Sequence, residues 1–212
     1  MFRKIALIAA LVLSAGSIYA QQQSISERMA QGTLVFDREE FMNELSYYEA
    51  AAEKEDPEAQ FQMGLLYFIG IEGQPNYPKA IDYLQRSANQ NNVEAIVQLA
   101  IMNDNGLGVE RNIPEAVKWY TKAAKLGSDK AMYSLGWIYD DGMGIGRDYA
   151  EAVKWYRLAA QKGNVGAMYN LAIKIYNGEG TDVNDDEAKM WLERAAAQGF
   201  DKAKITLRDL GW

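Results

Sequence analysis

Asp104 and Asp140 lie 36 residues apart. They are the side chains of this sequence whose type and spacing could support catalysis. Two carboxyl groups held about 5–9.5 Å apart can hydrolyse a glycosidic bond, one as acid and the other as base or nucleophile. Such a pair needs surroundings that separate its two pKa values, usually by shielding one carboxyl from water. The sequence around these aspartates predicts no such shielding. We therefore expect them to bind a cation on a partner or to lie in solvent.

The composition of the chain excludes most catalytic chemistry. Its 212 residues include no cysteine and no histidine. This excludes disulfides, thiolate nucleophiles, the usual Cys/His zinc sites and Ser-His-Asp triads. The sequence also has no Ser-x-x-Lys, the nucleophile motif of serine β-lactamases. We predict that the protein is not an enzyme, has no catalytic residues, and binds no cofactor and no metal.

Residues 1–20 have the pattern of a secretory signal peptide. Arg3 and Lys4 precede an apolar run from Ile5 to Leu13, and small residues follow. This run is shorter than the stretch of about 20 apolar residues that spans a membrane. We therefore expect cleavage after Ala20 or near it, a periplasmic or secreted protein, and no stable membrane anchor afterwards.

The charge of the chain restricts its partners. Removing Arg3 and Lys4 with the signal peptide would leave 20 basic against 29 acidic residues, a net charge of −9. This charge opposes binding to the phosphates of nucleic acids, and it attracts basic proteins over a distance. The predicted partner is another protein or peptide, and a basic one would suit the negative charge of this chain. A nucleic acid is not an expected partner.

The chain aligns with itself in four ungapped rows of 36 residues: 57–92, 93–128, 129–164 and 165–200. A repeat of this length is typical of solenoids. One column contains only glycine: Gly70, Gly106, Gly142 and Gly178. Another column is aromatic, with Tyr83, Trp119, Trp155 and Trp191, and a third is small, with Ala88, Ala124, Ala160 and Ala196. We expect the aromatic column to be core, so that Trp155→Ala costs about 3–5 kcal/mol.

Two sets of capping residues predict two helices in each row, which we call the A helix and the B helix. The first set precedes the A helices, which the glycine column ends: Asp56, Asn92, Ser128 and Asn164. The second set precedes the B helices: Asn76, Asn112, Asp148 and Asn184. Three members of the second set have a glutamate three residues later, which is the pattern of a capping box.

The segments outside the four rows complete the predicted organisation. Residues 21–36 are interpreted as a linker, and residues 37–56 as an N-terminal capping helix that corresponds to the B helix of a degenerate row. Residues 201–212 continue the A-helix pattern through Ala203 and Leu207, and we interpret them as a C-terminal capping helix. The ends of a solenoid need such units with a polar outer face.

The third row resembles a Sel-one-like repeat (SLR), a relative of the tetratricopeptide repeat. The resemblance depends on Leu135 and Gly136, on Tyr139, on a Gly-x-Gly loop, and on the pattern Ala-x-x-Trp-Tyr-x-x-Ala-Ala-x-x-Gly. The fourth row departs from it at Ala172 and Ile175. The resemblance implies an all-α, right-handed superhelical solenoid of helix-turn-helix repeats, with four repeats and capping helices. It also implies a protein–protein interaction scaffold or adaptor.

In solenoids of this kind the A helices line a concave groove. Residues spaced i, i+4, i+7 share one face of a helix, and ten of the twelve positions on this face are apolar or aromatic. The predicted partner-binding residues are Phe61, Leu65, Phe68, Val97, Ile101, Asp104, Tyr133, Trp137, Asp140, Tyr169, Ile173 and Tyr176. An exposed apolar surface of this length indicates binding, whereas close packing between A helices would make the same residues part of the core.

Three hypotheses for function remain after these steps. The first is an exported, periplasmic scaffold or adaptor that binds a partner in the concave groove. The second is an immunity or inhibitor protein that blocks a basic secreted toxin or cell-wall hydrolase. The third, minor hypothesis is a β-lactam-binding or hydrolysing enzyme, as described for cysteine-rich relatives, although the disulfides of those relatives are missing here.

Overall fold

A computed structural model of the protein describes residues 38–70, 74–142 and 144–212. Within these ranges the regular structure is entirely helical, with ten helices and no strand. This confirms the predicted all-α solenoid of helix-turn-helix repeats. The predicted signal peptide, residues 1–20, and the predicted linker, residues 21–36, lie outside the described residues.

The chain divides into two compact units. The first contains the described residues up to Leu99 together with Leu107–Val109, and the second contains Ala100–Gly106 and Glu110–Trp212. The chain passes from the first unit to the second within α4 (Val93–Asn105), and Leu107–Val109 in the loop that follows belongs again to the first unit.

The first unit contains α1 (Arg38–Glu53), α2 (Pro57–Ile69), α3 (Tyr77–Asn89) and the first half of α4. Helix α2 packs against both α1 and α3. The core of the unit is a cluster of Tyr48, Ala52, Ala59, Met63, Leu66, Tyr67 and Ala80.

The second unit contains the remainder of α4 and six further helices: α5 (Ile113–Lys125), α6 (Asp129–Asp141), α7 (Tyr149–Gln161), α8 (Val165–Asn177), α9 (Asp185–Ala197) and α10 (Asp201–Asp209). Each of the helices from α5 to α10 packs against the next one along the chain, and α8 also contacts α6. Leu135, Tyr156, Leu171 and Leu192 are fully buried between these helices.

The predicted caps of the A helices are formed. Side-chain oxygens of Asp56, Asn92, Ser128 and Asn164 each accept a hydrogen bond from the backbone N–H three residues later, at 2.7–3.2 Å. At the other end of α6, Gly142 has φ +77° and donates its N–H to the carbonyl of Ile138. This left-handed backbone favours a residue without a Cβ atom, which explains the glycine column.

The B helices begin differently from the predicted capping box. Asn112 and Asp148 accept from the N–H groups of Glu115 and Glu151, as predicted. Their own N–H groups, however, donate to carbonyls in the preceding A helix, Asn112 to Asn103 at 2.8 Å and Asp148 to Tyr139 at 2.9 Å. Because these amides already have partners, the returning bond from glutamate is not needed, and the Glu115 and Glu151 side chains form ion pairs with lysines instead.

The aromatic core is shifted by one residue from the predicted column. Trp191 is buried, but Trp119 and Trp155 are only half-buried. In the second and third repeats the next residues, Tyr120 and Tyr156, are the buried aromatic side chains. One residue corresponds to about 100° around a helix, so the tyrosines face the A helices while the tryptophans lie at the edge of the interface.

Helix α1 has the features of a B helix. Ala52, 36 residues before Ala88, is fully buried, and Glu55 adopts a left-handed backbone (φ +63°), as Asn91 does 36 residues later. At the other end of the chain, α10 buries Ala203 and exposes Lys202, Lys204 and Arg208.

Candidate functional site

In the first unit the predicted groove residues are mostly packing residues. Phe61 is buried. Leu65, Phe68 and Val97 are half-buried. Phe68 packs against the core cluster, and its ring lies 5.7 Å from the ring of Tyr77. These positions offer little apolar surface to a partner.

In the second unit, Ile101 and Asp104 near the end of α4 are half-buried. Asp104 forms an ion pair with Arg111 at 3.6 Å. The Arg111 side chain also donates to the Asp104 carbonyl at 2.6 Å, which fixes the guanidinium at the end of the helix. The cation for this aspartate therefore comes from the chain itself.

Helix α6 carries the most exposed aromatic residue of the predicted set. Trp137 has 40% of its surface exposed. One turn earlier, Tyr133 is half-buried: its ring centroid lies 6.0 Å from that of Tyr156, and it packs over Gly166 of α8. Tyr133 is therefore a packing residue, whereas Trp137 extends into solvent.

Helix α8 provides the second exposed ring. Tyr176 is 38% exposed, while Tyr169 and Ile173 are half-buried. The ring of Tyr169 lies 5.3 Å from that of Phe200, and the ring of Tyr176 lies 5.7 Å edge-on from that of Trp212. We call Trp137, Tyr176 and Trp212 the aromatic surface of the second unit.

Two residues of this face were not among the predicted ones. Trp212 and Ile205 follow Tyr176 and Tyr169 by 36 residues and so occupy the same positions of the repeat. Ile205 is 48% exposed on α10. The signal that could have identified them is the repeat spacing itself, carried one row further into the C-terminal capping helix.

Asp140 is the centre of a polar network. Its carboxylate forms an ion pair with Lys174 of α8 and accepts a hydrogen bond from the Tyr156 hydroxyl at 3.3 Å. Lys174 also contacts Glu179 at 2.6 Å and lies 4.3 Å from the centre of the Tyr149 ring. We expected Asp140 to bind a partner's cation or to lie in solvent, but its cation is internal because Lys174 reaches it from the next repeat.

The network alters the pKa values of Lys174, Glu179 and Tyr156. Burial alone would lower the pKa of Lys174, but hydrogen bonds to Asp140 and Glu179 outweigh burial, and the pKa is raised. The hydrogen bond from Lys174 lowers the pKa of Glu179. Burial, with the Asp140 charge adding to it, raises the pKa of the Tyr156 phenol. Lys174 therefore stays charged and Tyr156 neutral at physiological pH.

Two further properties concern the described part of the chain. In these ranges, no three acidic side chains come together in a way that could hold a metal ion. None of the helices described there combines the length and the apolar composition of a membrane span.

Comparison with known proteins identifies the repeat. A sequence model of the Sel1 repeat matches residues 57–92, 93–128, 129–164 and 165–200, which confirms the predicted resemblance. The chain is similar to c5321, a protective antigen of uropathogenic Escherichia coli with an SLR fold, at 35% identity and a TM-score of 0.70 over 73% of this chain. It is also similar to a Sel1 repeat protein of Oxalobacter formigenes, at 31% identity and a TM-score of 0.67 over 75% of this chain.

These relatives are longer than the matched region. The match covers 33% of c5321 and 63% of the Oxalobacter protein. A putative Sel1 repeat protein of Klebsiella pneumoniae is 20% identical, with a TM-score of 0.51 over 88% of this chain and 89% of its own, and shares the fold. Comparison with curated proteins gives no match.

Proposed function

Because the chain belongs to the Sel1 repeat family, whose members are typically protein-interaction scaffolds, we propose that it is an exported scaffold that binds a protein or peptide segment on the aromatic surface of its second unit. The observation that carries this proposal is the exposure of two large rings, Trp137 at 40% and Tyr176 at 38%. Aromatic side chains of this kind contribute most of the binding energy in many interfaces. Tyr133 packs against Tyr156 and Tyr169 against Phe200, and these contacts hold the two helices that carry the exposed rings in place.

Export to the periplasm is the second part of the proposal, and it is supported by the composition of residues 1–20. The mass of the intact protein from a periplasmic fraction tests it. We expect the mass of a chain that lacks residues 1–20. A full-length mass, or recovery only from the cytoplasm, would contradict export.

The binding proposal is tested by crosslinking the purified protein in an envelope extract, beside two variants. Trp137→Ala/Tyr176→Ala removes both exposed rings of the predicted set. Leu158→Ala is a matched control, because Leu158 is 39% exposed on the B helix of the third repeat. Circular dichroism checks that both variants remain folded.

We expect one dominant partner, captured by the parent and by Leu158→Ala but not by the double variant. That partner is then purified, and its dissociation constant is measured with the same three proteins. If Leu158→Ala loses the partner and the double variant keeps it, the binding surface is on the B helices and the proposal is wrong.

We also propose that the protein has no catalytic activity. Asp104 and Asp140, the candidate carboxylate pair, each have an internal cation, Arg111 and Lys174. Each carboxylate is thus already engaged by a cation of this chain, so neither is free to contact a substrate. Turnover of a chromogenic β-lactam or of peptidoglycan by the pure protein, abolished by Asp140→Asn, would contradict this.

A further inference from the structure

We propose that Trp137 and Asp141 together form the contact for a single arginine or lysine side chain in the partner segment. This inference deepens the proposed function and rests on it, because it concerns the same surface. It assigns a role to Asp141, which is not one of the predicted groove residues.

The two side chains lie on the same face of α6. Residues four apart on a helix are neighbours, and both are exposed, Trp137 at 40%. Within the described part of the chain, no basic side chain lies within 4 Å of the Asp141 carboxylate to form an ion pair. An indole face beside an unpaired carboxylate is suited to a cation, which the ring attracts from above.

Asp140, one residue earlier, is not available for this role. Its carboxylate is engaged by Lys174 and by the Tyr156 hydroxyl. Lys174 is only 9% exposed, so its ammonium is not free for another partner. The two adjacent aspartates therefore differ in function: Asp140 holds α8 against α6, and Asp141 faces solvent.

The charged side chains around the C-terminal end of α6 would be neutralised by one further cation. Three carboxylates, those of Asp140, Asp141 and Glu179, are near two cations, Lys174 and Arg147. Arg147 donates to the backbone carbonyl of Asp141 at 3.4 Å, but its other end donates to the Tyr149 hydroxyl at 3.2 Å. One negative charge remains in excess, at the C-terminal end of α6, where the helix dipole also favours a cation.

Only the third repeat combines an aromatic residue and an acid at these two positions. The positions of Trp137 are occupied by Leu65, Ile101 and Ile173 in the other rows, and those of Asp141 by Ile69, Asn105 and Asn177. The proposed contact is therefore local to α6. The segment that fits it carries one basic residue flanked by aromatic or aliphatic residues, which cover Trp137 and Tyr176.

The test uses a display library of random twelve-residue peptides selected on the purified protein. We expect the enriched peptides to share one arginine or lysine next to aromatic or aliphatic residues. A synthetic copy of the best peptide is then titrated against the parent, Trp137→Ala, Asp141→Asn and Asp182→Asn. Asp182→Asn is a matched control, since it removes an exposed charge from the loop between α8 and α9.

Binding should be lost with Trp137→Ala, become about two- to fivefold weaker with Asp141→Asn, and be unchanged with Asp182→Asn. Replacing the basic residue of the peptide with norleucine should weaken binding to the parent by more than Asp141→Asn does, because it also removes the cation from the Trp137 ring. The same replacement should weaken binding to Asp141→Asn by a smaller factor than it weakens binding to the parent. This second comparison isolates the contact between the two charges.

Peptides that need Trp137 but lack a basic residue, or bind Asp141→Asn as tightly as the parent, would overturn this inference and leave the proposed binding surface standing. Peptides that bind Trp137→Ala normally would place binding elsewhere and overturn both proposals. A selection that enriches no peptide would also count against both.

Discussion

A Cβ atom on Gly136 would lie 2.5 Å from the ring of Tyr156, so the A and B helices of the third repeat approach as closely as a glycine allows. Tyr156 is fully buried by this approach. The fourth repeat has Ala172 and Leu192 at the same positions, and the second has Ala100 and Tyr120. The spacing of the two helices is therefore set separately in each repeat by the pair of residues between them.

Gly136→Ala should destabilise the protein by about 1–3 kcal/mol, because an extra methyl group in a filled interface forces the ring and the helix apart. This loss should exceed the gain of about 1 kcal/mol that alanine brings to a helix interior. Urea unfolding followed by circular dichroism measures it. The double variant Gly136→Ala/Tyr156→Leu has the residue types of the fourth repeat at these positions. Its loss of unfolding free energy should be smaller than the losses of the two single variants added together. Simple additivity would show that the contact does not limit the packing.

Tyr156→Ala should cost about 3–5 kcal/mol, the usual cost of truncating a large buried aromatic residue, and Trp155→Ala should cost clearly less. The reason is burial: Tyr156 is enclosed, whereas Trp155 is half-buried and its indole N–H has no hydrogen-bond partner within the described residues. Thermal unfolding of both variants under one condition gives the comparison. A larger loss for Trp155→Ala would restore the prediction made from the aromatic column.

Lys174→Met should destabilise the protein because it leaves two carboxylates, those of Asp140 and Glu179, without their cation. The expected loss lies between the value for an exposed ion pair, about 1 kcal/mol, and that for a buried one, about 3 kcal/mol. Lys174→Met/Asp140→Asn should recover part of this loss, since it removes one of the uncompensated charges. Denaturant unfolding of the single and double variants gives the coupling energy, and a double variant no more stable than the single one would contradict the role of the pair.

Stability should decrease as the pH falls below 4.5. The hydrogen bond from Arg157 lowers the pKa of Glu187 from its ordinary value of 4.5, and Lys174 does the same for Glu179. A lowered pKa in the folded state stabilises the protein above the unfolded pKa, and this contribution is lost as the pH falls through the folded value. Melting temperatures between pH 3 and pH 6 measure the decrease. Arg157→Met should make it shallower, while Arg208→Met, which changes an exposed arginine of α10, should not.

Stability should also decrease above about pH 10. Burial raises the pKa of Tyr120 from 10.0 to about 12, and burial raises that of Tyr156 as well. The unfolded chain then loses these protons first, so that unfolding becomes easier as the pH rises past the ordinary value of 10.0. The absorbance of tyrosinate, recorded together with circular dichroism, should show that these two phenols ionise only as the protein unfolds. Ionisation of every tyrosine while the circular dichroism is still that of the folded protein would contradict the burial of these two rings.

The repeat, the helix ends and the fold class could be predicted from the sequence because each depends on residues close together in the chain. The cap at Asn164 and the stop at Gly142 are examples. The partner of the Asn112 amide could not be predicted, since its acceptor on Asn103 comes close only when the A and B helices pack. In the same way, no local signal shows that Lys174, 34 residues after Asp140, will neutralise it.

The candidate surface was predictable in position but not in exposure. The i, i+4, i+7 pattern identified one face of each A helix, and the structure separates Phe61, which is buried, from Trp137, which is exposed. That difference depends on which neighbouring side chain covers each ring, as Tyr77 does for Phe68 and Phe200 does for Tyr169. Neighbours of this kind come from other helices, and helix periodicity alone does not identify them.

In the first three repeats, the backbone bond from the N-cap residue of the B helix to the preceding A helix also affects how such a chain can change in length. It joins Tyr67 to Asn76, Asn103 to Asn112 and Tyr139 to Asp148, always nine residues apart and always inside one repeat. Each of the first three repeats thus contains its own bond between the A helix and the start of the B helix, whereas the described fourth repeat has no such bond from Asn184. Duplication or loss of a whole repeat leaves these backbone bonds intact, whereas an insertion between the two bonded residues would alter one of them. We therefore expect this architecture to tolerate gene rearrangements in whole repeat lengths.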